Sequence, residues 1–448
     1  LIVIFSFLDR EHSVAAPGYS RWLVPPAALA IHLSIGQAYA FSVFKNPLLA
    51  MAAADGVVWN LKEIGYIFSI AIAFLGLSAA LFGHWLENAG PRRAMFYAAV
   101  CFSSGFFVSA FGAYLHNLWL IYLGYGVIGG IGLGLGYISP VSTLIKWFPD
   151  RPGLSTGLAI MGFGGGAMIG GPLANNLMTF FKAQGQTAVI PETFMVMGAL
   201  YFVFMMYGVF TIRVPVPGWK PEGYVPKQKA SAMIATSNVE VTRAWKTPQF
   251  WLLWIVLATN VTAGIGILEQ ASPMIQDFFK GTIGPAAAVG FVGLLSLFNM
   301  VGRFFWASVS DHIGRKNTYT CFFVIGAILY SVLPMVHSVG AFVGIACVML
   351  SMYGGGFAAI PAYLKDLFGV HHVSAIHGRL LTAWSTAGVV GPLIVNGILD
   401  YSVATGMPKD QAYPFILHIM SGLLVIGFIA NMLVKPVSEK HWLQETAI

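Results

Sequence analysis

Few residues of this chain carry polar chemistry where they stand, and Arg303 is the first of them. It lies in an apolar run, eight residues before Asp311. On a helix that spacing puts it about 12 Å from the polar edge that Asp311 marks. An arginine in hydrocarbon costs at least about 2.5 kcal/mol on insertion scales, so it needs a partner. One candidate is the carboxylate of a ligand, which meets the planar guanidinium with two parallel hydrogen bonds. The other is structural: helix-end carbonyls or Glu269. Asn299, one turn away on the same face, offers an amide to a carboxylate or hydroxyl, or to a neighbouring helix. Glu269 stands in another apolar run, where a carboxyl group can carry a proton or serve as an outer-gate residue. His32 can titrate or simply pack through hydrogen bonds. Together these residues suit anion recognition coupled to proton movement. No nucleophile–base pair and no metal-ligand cluster stands out, and the spacing of Cys101, Cys321 and Cys347 is that of core residues. The chain therefore does not read as an enzyme, and no cofactor or metal is expected.

The elements that position these residues follow from composition. Of 448 residues 57% are hydrophobic and only 9% are charged, too few charges to cover a soluble surface. A bilayer removes that difficulty. Apolar stretches of about 20 residues, each long enough to cross the hydrocarbon, fall near 22–44, 63–86, 94–115, 118–145, 153–180, 192–213, 249–276, 285–309, 318–337, 340–364, 374–399 and 412–434. The expected fold is an all-α membrane protein of twelve transmembrane helices in two six-helix bundles. The expected domains are residues 1–213, a cytoplasmic linker 214–247, and residues 248–448. Gly-rich tracts at 129–136, 162–171 and 354–356 follow no strand and lack a Gly-Lys-Ser/Thr sequence, so they read as close helix packing rather than phosphate loops. No ATP site is visible, so any transport by this chain is expected to be secondary.

With the N-terminus inside, the cytoplasmic loops and termini collect Arg92, Arg93, Lys146, Arg151, Lys227, Lys229, Arg243, Arg315, Lys316, Lys365 and Lys435, among others. The opposite side holds Lys45, Lys62, Lys182, Lys280 and Lys409. This positive-inside bias puts both termini in the cytoplasm of an inner (plasma) membrane protein. The net charge of +7 is small for the length, and no basic stripe suggests nucleic acid. The expected partners are a small carboxylate, protons and the lipid bilayer.

The halves repeat. Gly83-His-Trp-Leu-Glu87-Asn-Ala-Gly90-Pro-Arg92-Arg93 corresponds to Ala307-Ser-Val-Ser-Asp311-His-Ile-Gly314-Arg315-Lys316, and the Gly-Pro pair at 171–172 to that at 391–392. Pro140 likewise corresponds to Pro361. Such duplication of a six-helix unit places a substrate site near the midplane between the halves. The acid–Gly–base loops read either as plain cytoplasmic turns or as gating clusters in which Glu87, Arg92, Asp311, Arg315 and Lys316 hold helix ends together in one conformation.

These loops, at these places in a twelve-span chain, resemble the signature of the major facilitator superfamily. Glu87, Asn88 and Pro91 depart from it in the first copy. Within the superfamily the chain is similar to the oxalate/formate antiporter family and its monocarboxylate-carrying relatives. The motifs are Lys146-Trp-Phe-Pro-Asp150, Thr247-Pro-Gln-Phe-Trp251, Leu297-Phe-Asn299 and Arg303-Phe-Phe-Trp306. The resemblance implies alternating access and small carboxylates as cargo, with the arginine at position 303 in the anion site. It also matches Tyr39, Tyr137 and Tyr353 to aromatic sites that could bond a carboxylate through their hydroxyls or simply pack. Phe357 stands where the family often has a further aromatic hydroxyl. Oxalate carriers have a second buried cation, a lysine, where this chain has Trp384, and no Lys or Arg occurs between Leu380 and Tyr401. A dianion on one arginine leaves an unpaired charge in a low dielectric. The expectation is thus a monocarboxylate of the lactate, pyruvate or formate type, moved with a proton. The rivals are a carboxylate exchanger, including oxalate for formate, and a transporter-like sensor.

Overall fold

The computed structural model describes residues 6–185, 189–224, 233–235 and 237–443, apart from the side chains at 61, 269, 285, 286, 403, 409 and 410. Lys227, Lys229, Lys409 and the carboxyl group of Glu269 therefore lie outside what it describes. Among the described residues the regular structure is helical, with two isolated β-bridges, Val14–Val214 and Val239–Trp442.

In chain order the helices are α1 (Pro25–Ile35), α2 (Ser42–Ala54), α3 (Leu61–Ala89), α4 (Pro91–Tyr114), α5 (Leu118–Ile121), α6 (Gly129–Trp147), α7 (Pro152–Ala183) and α8 (Val189–Thr211). They continue as α9 (Val241–Ala244), α10 (Pro248–Phe278), α11 (Pro285–Ile313), α12 (Arg315–Val332), α13 (Val339–Phe368), α14 (Val373–Leu380), α15 (Thr382–Ala404) and α16 (Lys409–Leu433). Among the described residues eleven helical stretches are long and apolar enough to cross a membrane, and a twelfth forms if the two pieces of the first span count together. Large apolar side chains on these helices, such as Trp119 at 79% and Val203 at 65% exposure, face outward. Water would penalise that surface, whereas hydrocarbon accommodates it.

Local chemistry sets the helix ends. Asn60 and Glu63 form a reciprocal capping box at the start of α3. Thr247 Oγ1 accepts the N–H of Phe250 to cap α10, and proline opens α1, α4, α7, α10 and α11. Both copies of the repeated loop turn on a glycine with positive φ, Gly90 at 85° and Gly314 at 86°, with a helix ending one residue before and another starting one residue after. An L side chain would be strained there, so the acid–Gly–base pattern has a backbone cause.

Three spans depart from straight α-helix. The first is expected as one stretch over 22–44 but runs on to Ala54. It passes through a 3₁₀ segment at Gly36–Ala40 and bends by 52° before α2. A methyl group on Gly36 would collide with the backbone of Phe163, so close contact with α7 fixes this segment. The fourth span holds a π-helical segment at Tyr122–Ile128 between α5 and α6. The eleventh is interrupted at Leu381, between α14 and α15.

The chain forms two compact units. The first comprises residues 1–226 with 372–385, and the second comprises 227–371 with 386–448. In the first, α4 packs on α8, α3 on α6 and α14, and α1 on α7; in the second, α11 packs on α13, and α16 on α10 and α12.

Candidate functional site

In the second unit Arg303 is fully buried on α11. Its Nε donates to Asn299 Oδ1 at 3.2 Å, one turn back on the same helix. Its guanidinium carbon lies 5.1 Å from the ring centre of Phe357 on α13, a cation–π distance. Phe357 meets Tyr353 edge to face at 5.3 Å. The structure thus brings Arg303, Asn299 and Tyr353 into one neighbourhood, with the phenyl ring of Phe357 between Tyr353 and the guanidinium.

Glycines let α11 and α13 come this close. A methyl group on Gly354 would lie 2.6 Å from Asn299 Oδ1 and 3.1 Å from Arg303 Cγ. Gly355 makes room for Trp306, whose Nε1 donates to Ser351 Oγ at 3.1 Å. Gly356 abuts Asn260 of α10, and Gly264 of α10 takes the ring of Tyr353. The Gly-rich tract at 354–356 is therefore a packing device, as its composition suggests.

Asn260 escaped the sequence reading. It is 5% exposed, and its Oδ1 has no hydrogen-bond partner among the described residues. It borders a small cavity with Tyr353, Met352, Met349 and Phe322. The signal was present as a single amide in the middle of the seventh apolar stretch.

The first unit gathers Tyr39, Tyr137, Trp384 and His32 around one ring that the sequence reading did not single out, Phe163. Tyr39 meets Phe163 edge to face at 5.0 Å, Tyr137 at 5.5 Å and Trp384 at 5.3 Å. Trp384 also packs on Tyr137 at 5.2 Å. His32 stacks on Tyr137 at 5.3 Å and is fully buried. Its Nδ1 lies 2.6 Å from the carbonyl oxygen of Ala159 and its Nε2 3.1 Å from that of Tyr137. A neutral imidazole donates to one of these acceptors, whereas an imidazolium donates to both. A second buried histidine, His377, lies 5.9 Å from the Tyr137 ring. It falls inside the expected eleventh apolar stretch, where a lone histidine carries no local signal.

The acid–Gly–base loops divide their charges in different ways. In the second copy Arg315 Nη2 donates to Asp311 at 2.5 Å and Nε to Asp366 at 3.2 Å, with Ser310 Oγ as a third partner. Asp366, at the end of α13, was not expected. Lys316 donates to the carbonyls of Met432 and Val434 at 2.8 and 2.9 Å. In the first copy Arg92 also serves carbonyls, those of Phe7 and His12 at 2.9 Å, with its guanidinium 4.2 Å from the Phe7 ring centre. Glu87 pairs with His372 at 2.9 Å and accepts the N–H of Ala375. Arg93 pairs with Asp9. Asp311 and Arg315 are thus joined, whereas Glu87 and Arg92 turn to different partners.

After α6, Arg21 grips Asp150 with two hydrogen bonds, at 2.6 and 3.1 Å. Burial opposes the charge on Asp150. The hydrogen bonds from Arg21 and its own backbone, with the charges of Arg21 and Arg151, outweigh that penalty and hold the carboxyl below its usual range.

No metal-ligand cluster stands out in the sequence, but the fold brings His84, Glu87 and His372 together. Spacing could not reveal a group whose members come from such distant parts of the chain.

A family model described as Major Facilitator Superfamily matches residues 20–392 and 272–446. The chain is 25% identical over 401 residues to the oxalate:formate antiporter of Oxalobacter formigenes, covering 88% of this chain and 87% of that protein. It is 24% identical over 380 residues to the apicoplast pyruvate carrier 1 of Toxoplasma gondii, covering 74% and 68%. Its fold matches the crystal structure of the human organic anion transporter MFSD10 with a TM-score of 0.64 at 14% identity, covering 93% of this chain and 100% of that one.

Proposed function

Because the chain belongs to the Major Facilitator Superfamily, we propose that it is a secondary transporter carrying a small monocarboxylate of the lactate, pyruvate or formate type by alternating access. The cargo moves in symport with a proton. The observation that carries this reading is the buried Arg303. Its Nε is held by Asn299 and its guanidinium carbon sits at cation–π distance over the Phe357 ring, an arrangement that suits two-point recognition of a carboxylate. The similarities to an oxalate:formate antiporter and a pyruvate carrier support a carboxylate as cargo.

One fixed arginine balances one negative charge. Trp384 stands where the resembled oxalate carriers have a lysine, and no cationic residue occurs between Leu380 and Tyr401. A dianion would therefore bring an excess charge into a low dielectric, which favours a monoanion. His32 is one proton-coupling candidate, because an imidazolium there would donate to both of its carbonyl neighbours. Glu269 is the second candidate, on sequence grounds. Asp311, Arg315, Lys316, Glu87 and Arg92 act as gating residues at helix ends. Both termini lie in the cytoplasm of the plasma membrane, following the distribution of Lys and Arg.

Uptake of labelled pyruvate into proteoliposomes tests this. Uptake driven by an inward proton gradient, without internal carboxylate, supports symport. Uptake that requires internal oxalate or formate and ignores the gradient selects exchange, the reading favoured by the similarity to the antiporter.

A further inference from the structure

The end of α3 and the start of α14 bring together three side chains whose combined chemistry is that of a metal-ligand set. His84 and Glu87 lie one turn apart on α3, and His372 is the N-cap residue of α14. Glu87 Oε2 lies 2.9 Å from His372 Nδ1 and 3.8 Å from His84 Nδ1. One ligand atom from each of the three residues lies within 4.8 Å of the others. The two imidazole centres are 6.1 Å apart. Glu87 Oε1 accepts the backbone N–H of Ala375 at 3.3 Å, which leaves Oε2 turned toward both histidines.

We propose that His84, Glu87 and His372 form a binding site for a divalent transition metal, with Zn²⁺ as the representative ion. Two imidazole nitrogens and one carboxylate oxygen suit Zn²⁺, Ni²⁺ or Cu²⁺ rather than Mg²⁺ or Ca²⁺, which prefer all-oxygen shells. Three protein ligands leave the fourth tetrahedral position to water. Bonds of zinc length set ligand atoms roughly 3.3 Å apart, so the Glu87–His372 pair at 2.9 Å opens slightly while His84, at 3.8 Å from Glu87, closes in. Glu87 and His372 are largely buried, at 10% and 14% side-chain exposure, and their geometry is held; His84, at 57%, has room to turn onto the ion. The carboxylate offsets one unit of the metal's charge. Arg10, which donates to the Glu87 carbonyl oxygen, adds positive charge nearby and weakens the site relative to a structural zinc centre. Loading ties the end of α3 to the start of α14, so the metal stabilises that junction.

The test titrates Zn²⁺ into the purified full-length chain, with any affinity tag removed, against a chromogenic chelator. Wild type should bind one ion per chain. H84A and H372A should each weaken binding by more than about tenfold, because loss of an outer-shell partner alone costs about that much. H371A, a substitution of the adjacent histidine outside the cluster, should leave binding unchanged. Zn²⁺ should raise the melting temperature of wild type and H371A but not of H84A or H372A. Co²⁺ should give the visible absorption of a four-coordinate site in wild type and H371A but not in H84A or H372A. His84 is largely exposed, so H84A carries the test if H372A fails to fold. The proposal is overturned if wild type binds no Zn²⁺, or if H84A binds it as wild type does.

Discussion

Arg303 Nε donates to Asn299 Oδ1 at 3.2 Å, with both residues buried on one face of α11. An amide one turn away fixes the guanidinium without changing its charge. The pair therefore separates the effect of orientation from the effect of charge, which one substitution at Asn299 cannot do but two can. N299A removes the fixing bond and should raise the KM for pyruvate uptake about tenfold, the loss of one hydrogen bond to a charged group. N299D puts a carboxylate against the guanidinium and should abolish uptake while the protein still folds. Equal kinetics in the two variants would argue that Asn299 has no part in holding Arg303.

Gly354 should tolerate no larger residue. A methyl group there meets Asn299 Oδ1 and the Arg303 side chain within 3.1 Å. G354A should lower the melting temperature by several degrees, the usual result of about 1–3 kcal/mol of overpacking. It should also lower the affinity for pyruvate. Gly290 on the same helix as Arg303 has open space where a Cβ would go, so G290A should change neither quantity.

At the other end of α11, Arg315 serves two carboxylates, Asp311 and Asp366. R315Q leaves both acids without their shared cation and should cost about 3–5 kcal/mol, as breaking a buried pair does. D311N or D366N removes one acid from a cation that keeps the other, and should cost less. Thermal unfolding of the three variants in detergent gives the ranking, and a smaller effect for R315Q than for either Asn variant would contradict it.

The Arg21–Asp150 pair gives a pH signature. The Asp150 carboxyl is held below its ordinary value of 3.8, so the folded state binds its proton less readily than the unfolded chain. The pair's contribution is present above pH 3.8 and is lost as pH falls through the lowered value in the folded state. Both side chains are about one-fifth exposed, so the contribution is about 1 kcal/mol. D150N should unfold a few degrees below wild type at neutral pH, and the gap should close as the medium becomes strongly acidic. A gap that widens in acid would reverse the sign.

The spans were legible because a stretch of apolar residues long enough to cross a bilayer is a strong and local signal. Arg303 was legible because a charge inside such a stretch is expensive. The repeated loops were legible because glycine alone fits the positive φ at Gly90 and Gly314. The bend in the first span was not, since Gly36 gives way to 3₁₀ geometry only through its contact with Phe163. Asp366 was passed over because it sits among other charges at a helix end, and its meeting with Arg315 is a tertiary event. The same holds for Phe163 and His377, apolar or ambiguous residues until the rings around them are seen, and for the His84–Glu87–His372 group.

Equilibrium binding of pyruvate to the purified protein tests the central claim, that Arg303 holds the carboxylate. Wild type should bind saturably, R303K should bind more weakly because an ammonium lacks the planar two-point geometry, and R303Q should show no binding while keeping the wild-type elution profile. An unchanged dissociation constant in a folded R303Q protein would contradict it.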